Sequence, residues 1–455
     1  MVISKDIARL EHSSVRLTLT VGKDEVRSQY NEMLANYTKS LQIPGFRKGK
    51  APKEVLERKF GGALKDEVLS RIIEKSITEL FDDESFPKED RPLPYSTPQV
   101  QDEPVLDLDA DLTFSMVYDV LPRFTMGTWK GLEVEVPRAD ISAEDINREL
   151  EVIRDRNAIV MDKDEKAAAA KGDVVTVNYL ELSGTGEPLP GTEREDFVFT
   201  LGTGYNVFKF DDEITGMKKG ETRDIEKSYP AGFEDKDLAG KTRKIRVTLS
   251  ALKEKKLPEL DDDLAQDVDE KYKTLEDLKN SIRERLAGNL KKRLRDITVS
   301  GILEKVMENT PVEVPESMIR IELESRWRNL ARRFNTSPEE LVKIMDKSGQ
   351  GYDAIITEWR PDAVKALHSR LIVETLMKDL ALEASDEDVE QTLEAVAAES
   401  NSPPEDIKKY YQQENMKEYL KEEIKERKLF DILVKENTVK PGKKVNYLDL
   451  TANNG

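Results

Sequence analysis

The stretch Gln42-Ile43-Pro44-Gly45-Phe46-Arg47-Lys48-Gly49-Lys50-Ala51-Pro52 gathers residue types suited to a surface of phosphates and bases. Proline fixes φ and lacks a donor, and glycine admits conformations closed to other residues, so the segment is a tight loop rather than a helix or central strand. Phe46, Arg47 and Lys48 are lifted off the body by it. Arginine can fork two phosphate oxygens, lysine adds a point charge, and an aromatic ring can stack on a base. The same composition fits an ordinary solvated basic turn whose Phe46 tucks into the core. Around it stand Lys39, Lys50, Lys53, Arg58 and Lys59, opposed between Lys39 and Lys59 only by Glu54 and Glu57.

Other chemistry finds no foothold. His12 and His368 are the only histidines, far apart and without ligand-spaced partners, so no metal site is expected. Gly202-Thr203-Gly204 lacks the third glycine and the helix-opening context of a dinucleotide fingerprint, and no phosphate-binding glycine loop ends in Lys-Ser or Lys-Thr. No cofactor is expected, and no nucleotide site is visible in the sequence. The carboxylates are abundant but belong to solvated helix faces.

The chain of 455 residues is too long for one core, and two to four domains are expected. A charged fraction of 36% with only 6% aromatics points to solvent-washed helices and thin cores. The net charge of −19 repels phosphate at long range and argues against a DNA binder, so any RNA contact must be local. There is no cysteine, which excludes disulfides and thiolate metal sites. No apolar run approaches the ~18–20 residues of a membrane span and the N-terminus lacks a signal-peptide core, so the expected compartment is the cytoplasm.

The elements that must carry these residues follow from periodicity. Residues 1 to about 115 form an α+β head. Strands run over Val15–Val21 and Asp111–Val120, helices over Val26–Leu41, from Pro52 through Phe60, and over Leu64–Phe81. A connector over about 116–168 holds a helix capped by Ser142-Ala143-Glu144-Asp145. Its spacing recurs at Ser385, Glu387 and Asp388, as two capped amphipathic helices would produce without any shared role. Residues about 169–257 are β-rich, with strands at Val174–Tyr179, Phe197–Leu201, Glu221–Lys227 and Lys244–Leu252. From 258 to 455 the chain is helical: a long helix through Ile282–Val306 and another opened by Pro315. Further helices run over Asp353–Leu382, interrupted near Pro361, and over Asp386–Ala398 and Pro404–Lys435, with a loosely ordered tail after Thr438. Antiparallel helix pairs then give arms rather than a sphere.

Gly45-Phe46-Arg47-Lys48-Gly49-Lys50-Ala51-Pro52 resembles the signature of bacterial trigger factor, and the resemblance extends along nearly the whole chain. It implies a ribosome-binding head, an inserted FKBP-type peptidyl-prolyl isomerase domain (antiparallel β with a short helix), and an extended all-α body with arms. Gly45, Phe46, Arg47, Lys48 and Lys50 would dock on the large ribosomal subunit at the exit tunnel, touching ribosomal protein and RNA. Unfolded nascent polypeptides would be the clients. Asp173–Tyr179, Asp196–Gly202, Gly216–Glu221 and Asp237–Lys241 carry the isomerase resemblance. It assigns Tyr179, Phe197, Phe199, Val207, Phe210 and Phe233 to the isomerase pocket. The sequence departs from that pattern at Pro190, where an acidic residue is expected, and at Ile245, where an aromatic is common. It departs again in Val207-Phe208-Lys209-Phe210-Asp211-Asp212-Glu213, which loses both family glycines. A working isomerase and a retained but silent one both stay open. In the arms Met318, Trp327, Phe334, Met345 and Trp359 are candidates to line a surface for unfolded chains, against the alternative that they pack helix on helix. The other readings are a prolyl isomerase whose remaining domains only supply substrate affinity, and an off-ribosome holdase acting as a homodimer.

Overall fold

The computed structural model describes residues 2–42, 44, 46, 49–50, 52–101, 104–347, 349, 351–400, 402–411 and 413–451. The chain divides into two compact units, Met1–Val136 with Asp296–Pro441, and Pro137–Arg295 with Gly442–Gly455.

In the first unit, β1 (Val2–Arg9), β2 (Ser14–Val21), β3 (Gln99–Gln101) and β4 (Leu112–Asp119) form an antiparallel sheet in the order β1-β2-β4-β3. Period-two alternation sends Val15, Leu17, Leu19 and Val21 to one face, where they are fully buried. They pack with Val26, Tyr30 and Leu34 of helix α1 (Lys23–Ser40) and Leu64, Val68 and Ile72 of helix α2 (Lys53–Asp82). The two helices expected around Phe60 and Leu64 are one, continuous through Gly61 and Gly62. Two interior glycines cost about 1 kcal/mol each, less than leaving two extra helix ends with unpaired backbone groups.

β5 (Glu133–Arg138) follows. In the second unit α3 (Ala143–Arg156) starts in a capping box: Asp145 N donates to Ser142 Oγ at 3.2 Å and Ser142 N to Asp145 Oδ2 at 2.9 Å. Then come β6 (Ile159–Asp162), β7 (Val174–Leu182), β8 (Arg194–Thr200), α4 (Asp211–Ile214), β9 (Thr222–Ser228) and β10 (Thr242–Lys256). The long β10 pairs along one side with β7, and along the other first with β9 and then with β6; β7 pairs onward with β8. All pairings are antiparallel, and the short α4 packs Ile214 into the core against the sheet. α5 (Asp262–Val268) leads to the 35-residue α6 (Leu275–Asn309).

Back in the first unit, α7 (Glu316–Arg333), α8 (Pro338–Lys347), α9 (Tyr352–Asp379), α10 (Asp386–Ser400), α11 (Pro404–Tyr410) and α12 (Glu414–Glu436) complete the helical part. α9 runs through Pro361 without the expected interruption. Its flanks, Ile356, Trp359, Ala363 and Leu367, are held in clusters with Met318, Leu323 and Trp327 of α7, which offsets the one lost hydrogen bond. The helix expected over Pro404–Lys435 is instead two, with Gln413 extended at the start of α12. The Ser385 repeat is a second capping box of the same geometry, Asp388 N to Ser385 Oγ at 3.2 Å and Ser385 N to Asp388 Oδ2 at 2.8 Å. Shared local capping accounts for the repeated spacing. The tail is also ordered beyond Thr438: β11 (Thr438–Lys444) pairs with β5, and α13 (Tyr447–Thr451) follows.

Candidate functional site

The aromatic cluster of the second unit is built by strand alternation. Val175, Val177 and Tyr179 leave β7 on its buried side, and cross-strand register sets Val177 opposite Phe197 and Val175 opposite Phe199 of β8. Tyr179 is the hub. Its ring meets Phe197 at 5.8 Å, Phe208 at 5.8 Å and Phe210 at 5.6 Å, all edge to face, the arrangement favoured by ring quadrupoles. Phe199 closes the group on Phe210 at 6.1 Å. Burial pushes the Tyr179 phenol upward from its ordinary pKa, so it stays a neutral wall.

Loop 202–210 supplies the rest, and it hangs on one carboxylate. Asp211 is buried, and its Oδ1 accepts from Gly202 N at 2.8 Å and Gly204 N at 3.1 Å, its Oδ2 from Asn206 Nδ2 at 2.7 Å. Asn206 Oδ1 in turn accepts from Phe210 N at 2.9 Å. Lys209, at a lost family glycine, adopts φ 52°, the left-handed region that favours glycine. Its ammonium donates to Gly204 O at 2.6 Å, and its carbonyl accepts from Lys227 Nζ.

Of the six residues assigned to this pocket, Tyr179, Phe197, Phe199 and Phe210 come together. Val207 points outward, 53% exposed, while its neighbour Phe208 is buried against Tyr179. The loop path fixed by Asn206 and Asp211 turns one side chain out and the next in. Phe233 packs on Tyr229 at 4.8 Å. Tyr229 itself, missed from sequence, donates its hydroxyl to Phe208 O at 2.8 Å, and burial together with Glu213 and Glu181 pushes its phenol up to about 12. The available signal was an aromatic placed directly before the Pro230 turn. Asn206 and Asp211 were legible only as polar residues bracketing an aromatic loop. Ile245, at an expected aromatic position, is fully buried opposite Ile225 of β9. Leu189, before Pro190, donates its amide to Glu181 O at 2.9 Å, and Gly191 takes φ 83°.

In the head, Gly45, Arg47 and Lys48 lie outside the described residues. Phe46 is 36% exposed rather than tucked into the core, and its carbonyl accepts from Gln42 Nε2 at 3.2 Å. Lys39, Lys50, Lys53, Arg58 and Lys59, near it in sequence, are exposed as well.

In the helical part Met318 and Trp327 are buried. Trp327 donates Nε1–H to Pro338 O at 3.1 Å and meets Tyr352 at 4.9 Å and Trp359 at 6.2 Å. Met345 and Trp359 pack half-buried on the same cluster. Among the five arm candidates, only Phe334, 60% exposed, faces solvent. The others pack helix on helix, Met318 with Leu323, Ala363 and Leu367, and Met345 and Trp359 with Trp327.

An antiparallel sheet folded over a short helix, with aromatic walls and no nucleophile at their centre, defines an FKBP-type peptidyl-prolyl cis-trans isomerase domain, and residues 165–250 match that family model. Residues 3–153 match the model for bacterial trigger factor protein and 274–435 that for its C-terminus. The chain belongs to the bacterial trigger factor family. It is 42% identical to a trigger factor of Treponema denticola, over 99% of both chains. Identity is 36% to that of Treponema pallidum, over 94% of both, and 34% to that of Borreliella burgdorferi, over 99% of this chain and 98% of the other. A solved trigger factor chaperone, described for promiscuous substrate recognition in folding and assembly, shares the fold at a TM-score of 0.50 and 23% identity, over 95% of this chain and all of the other. Among the described residues no helix is long and apolar enough to cross a membrane.

Proposed function

We propose that this protein is a ribosome-associated, ATP-independent chaperone of the cytoplasm. Residues 1–115 dock beside the exit tunnel of the large subunit, through the loop that carries Phe46, Arg47, Lys48 and Lys50. The connector 116–168 joins the helical part 258–455 in shielding apolar segments of emerging chains, with Phe334 among the exposed contacts. The observation that carries this reading is an exposed Phe46 in a stretch whose described cations are exposed too, on a chain of net charge −19. Such a surface confines attraction for RNA to one tip and keeps the remainder from sticking to it. Ribosome pelleting tests it: Phe46→Ala, Arg47→Ala and Lys48→Ala combined should abolish cosedimentation with the fold intact. Unchanged cosedimentation would refute the docking assignment.

The same chain is a prolyl isomerase through residues 169–257. Resonance sets the barrier to amide rotation at ~18–20 kcal/mol. An apolar cleft complementary to the twisted bond, in which that resonance is lost, lowers the barrier without a nucleophile or metal. Half-buried Phe197, with Tyr179 beside it, offers such a wall, Phe210 is fully buried against Tyr179, and Asp211 holds the loop that seats them. Cis–trans exchange of a proline peptide, followed by NMR, measures the rate, and no acceleration over the free peptide would refute this reading.

A further inference from the structure

The aromatic group does not end at the cleft. Tyr205 stacks on Phe197, ring centroids 6.4 Å apart and planes within 8° of parallel, yet it is 74% exposed. A continuous series of rings therefore runs from buried Phe210 through Tyr179 and Phe197 out to a tyrosine whose far face is open. Val207, two residues further along the chain, is more than half exposed as well. A lone exposed aromatic would mean little; this one is held parallel to a wall of the cleft.

We infer that Tyr205 is a specificity-determining residue, a shelf for an aromatic or long aliphatic side chain directly adjacent to the client's proline. The inference rests on the isomerase reading above. Consecutive Cα atoms stand about 3.8 Å apart, so a side chain next to a proline seated on Tyr179 and Phe197 spans the step from Phe197 to Tyr205. The shelf is also set before any ligand arrives. Gly204 N is bound to Asp211 and Gly204 O to Lys209 Nζ, and Asn206 is bound to Asp211 on the other side of Tyr205. Little freedom remains to be lost on binding.

The test uses the full chain and four tetrapeptides, with Phe or Ala directly before the proline in one pair and directly after it in the other. Isomerisation is followed by NMR exchange for the wild type, Tyr205→Ala and Tyr205→Phe. One ring stacked on another corresponds to a preference of about fivefold in kcat/KM for the Phe peptide. On the side that meets the shelf, Tyr205→Ala should narrow this to below about twofold while leaving the Ala peptide unaffected, and Tyr205→Phe should retain it. An unchanged preference in Tyr205→Ala, or an equal loss on Phe and Ala peptides, overturns the shelf and leaves the isomerase intact. If the wild type turns over no peptide, the isomerase reading itself fails. The same peptides titrated as ligands then decide the shelf: tighter binding of a Phe peptide that Tyr205→Ala removes upholds it, and binding that is absent or indifferent to Tyr205 overturns it.

Discussion

In the FKBP-type domain, Tyr179, Phe197, Phe199 and Phe210 meet at centroid distances between 5.6 and 6.1 Å, whereas of the five candidates in the helical part Met318 and Trp327 vanish into packing and only Phe334 is exposed. The first set is assigned by resemblance to a family pocket, the second by the large adaptable apolar side chains its residues carry. The difference lies in the elements beneath them. A strand has a period of two, so once Val175 and Val177 are known to face inward, Tyr179 must follow. A helix with neighbours on several sides offers more than one buried stripe. Its Met and Trp serve whichever neighbour arrives, and residue type cannot distinguish a face kept for clients from one used by α8 or α9.

The largest effect should come from the helical side. Trp327→Ala is expected to destabilise by about 3–5 kcal/mol, as for other buried tryptophans, whereas Phe334→Ala should stay within about 0.5 kcal/mol and instead weaken capture of an unfolded client. Denaturant unfolding paired with an aggregation-suppression assay reads both. If Phe334→Ala unfolds the protein as readily as Trp327→Ala, the contrast between packing and exposed aromatics is lost.

On the FKBP-type side, Asp211→Ala removes the acceptor for three donors, each a charge-assisted bond, and should cost about 3 kcal/mol with a matching fall in isomerase kcat/KM. Asp211→Asn should rescue only in part, since its amide nitrogen opposes Asn206 Nδ2. Activity that survives Asp211→Ala would show that the loop is seated by its rings alone. The smallest effect is a gain. Lys209→Gly relieves a left-handed backbone but forfeits the bond to Gly204 O, for a net stabilisation below about 1 kcal/mol, measured as a raised Tm. A loss of stability there would mean that the ammonium, and not the backbone, sets the loop.

Local periodicity made the head legible. The alternation of Val15 to Val21, the stripe of Tyr30, Met33 and Leu34, and the return strand through Phe114 and Met116 each lie within one element, where residue spacing alone selects a face. The Ser142 and Ser385 boxes were equally readable, because a helix cap is completed within four residues. Where the outcome depended on partners distant in sequence, spacing was silent. The continuity of α2 across Gly61-Gly62 and of α9 across Pro361 was decided by packing on both flanks of each breaker. The order in Thr438–Lys444 comes from β5, some three hundred residues earlier. In loop 202–210, the choice of Phe208 over Val207 as the inward side chain was set by Asn206 and Asp211, whose hydrogen bonds fix the loop's path. Short-range backbone preferences amount to a few tenths of a kcal/mol per residue, enough to choose helix or strand. Which of two adjacent side chains turns inward is decided by burial and buried hydrogen bonds worth several times more, and those exist only once the chain has come together.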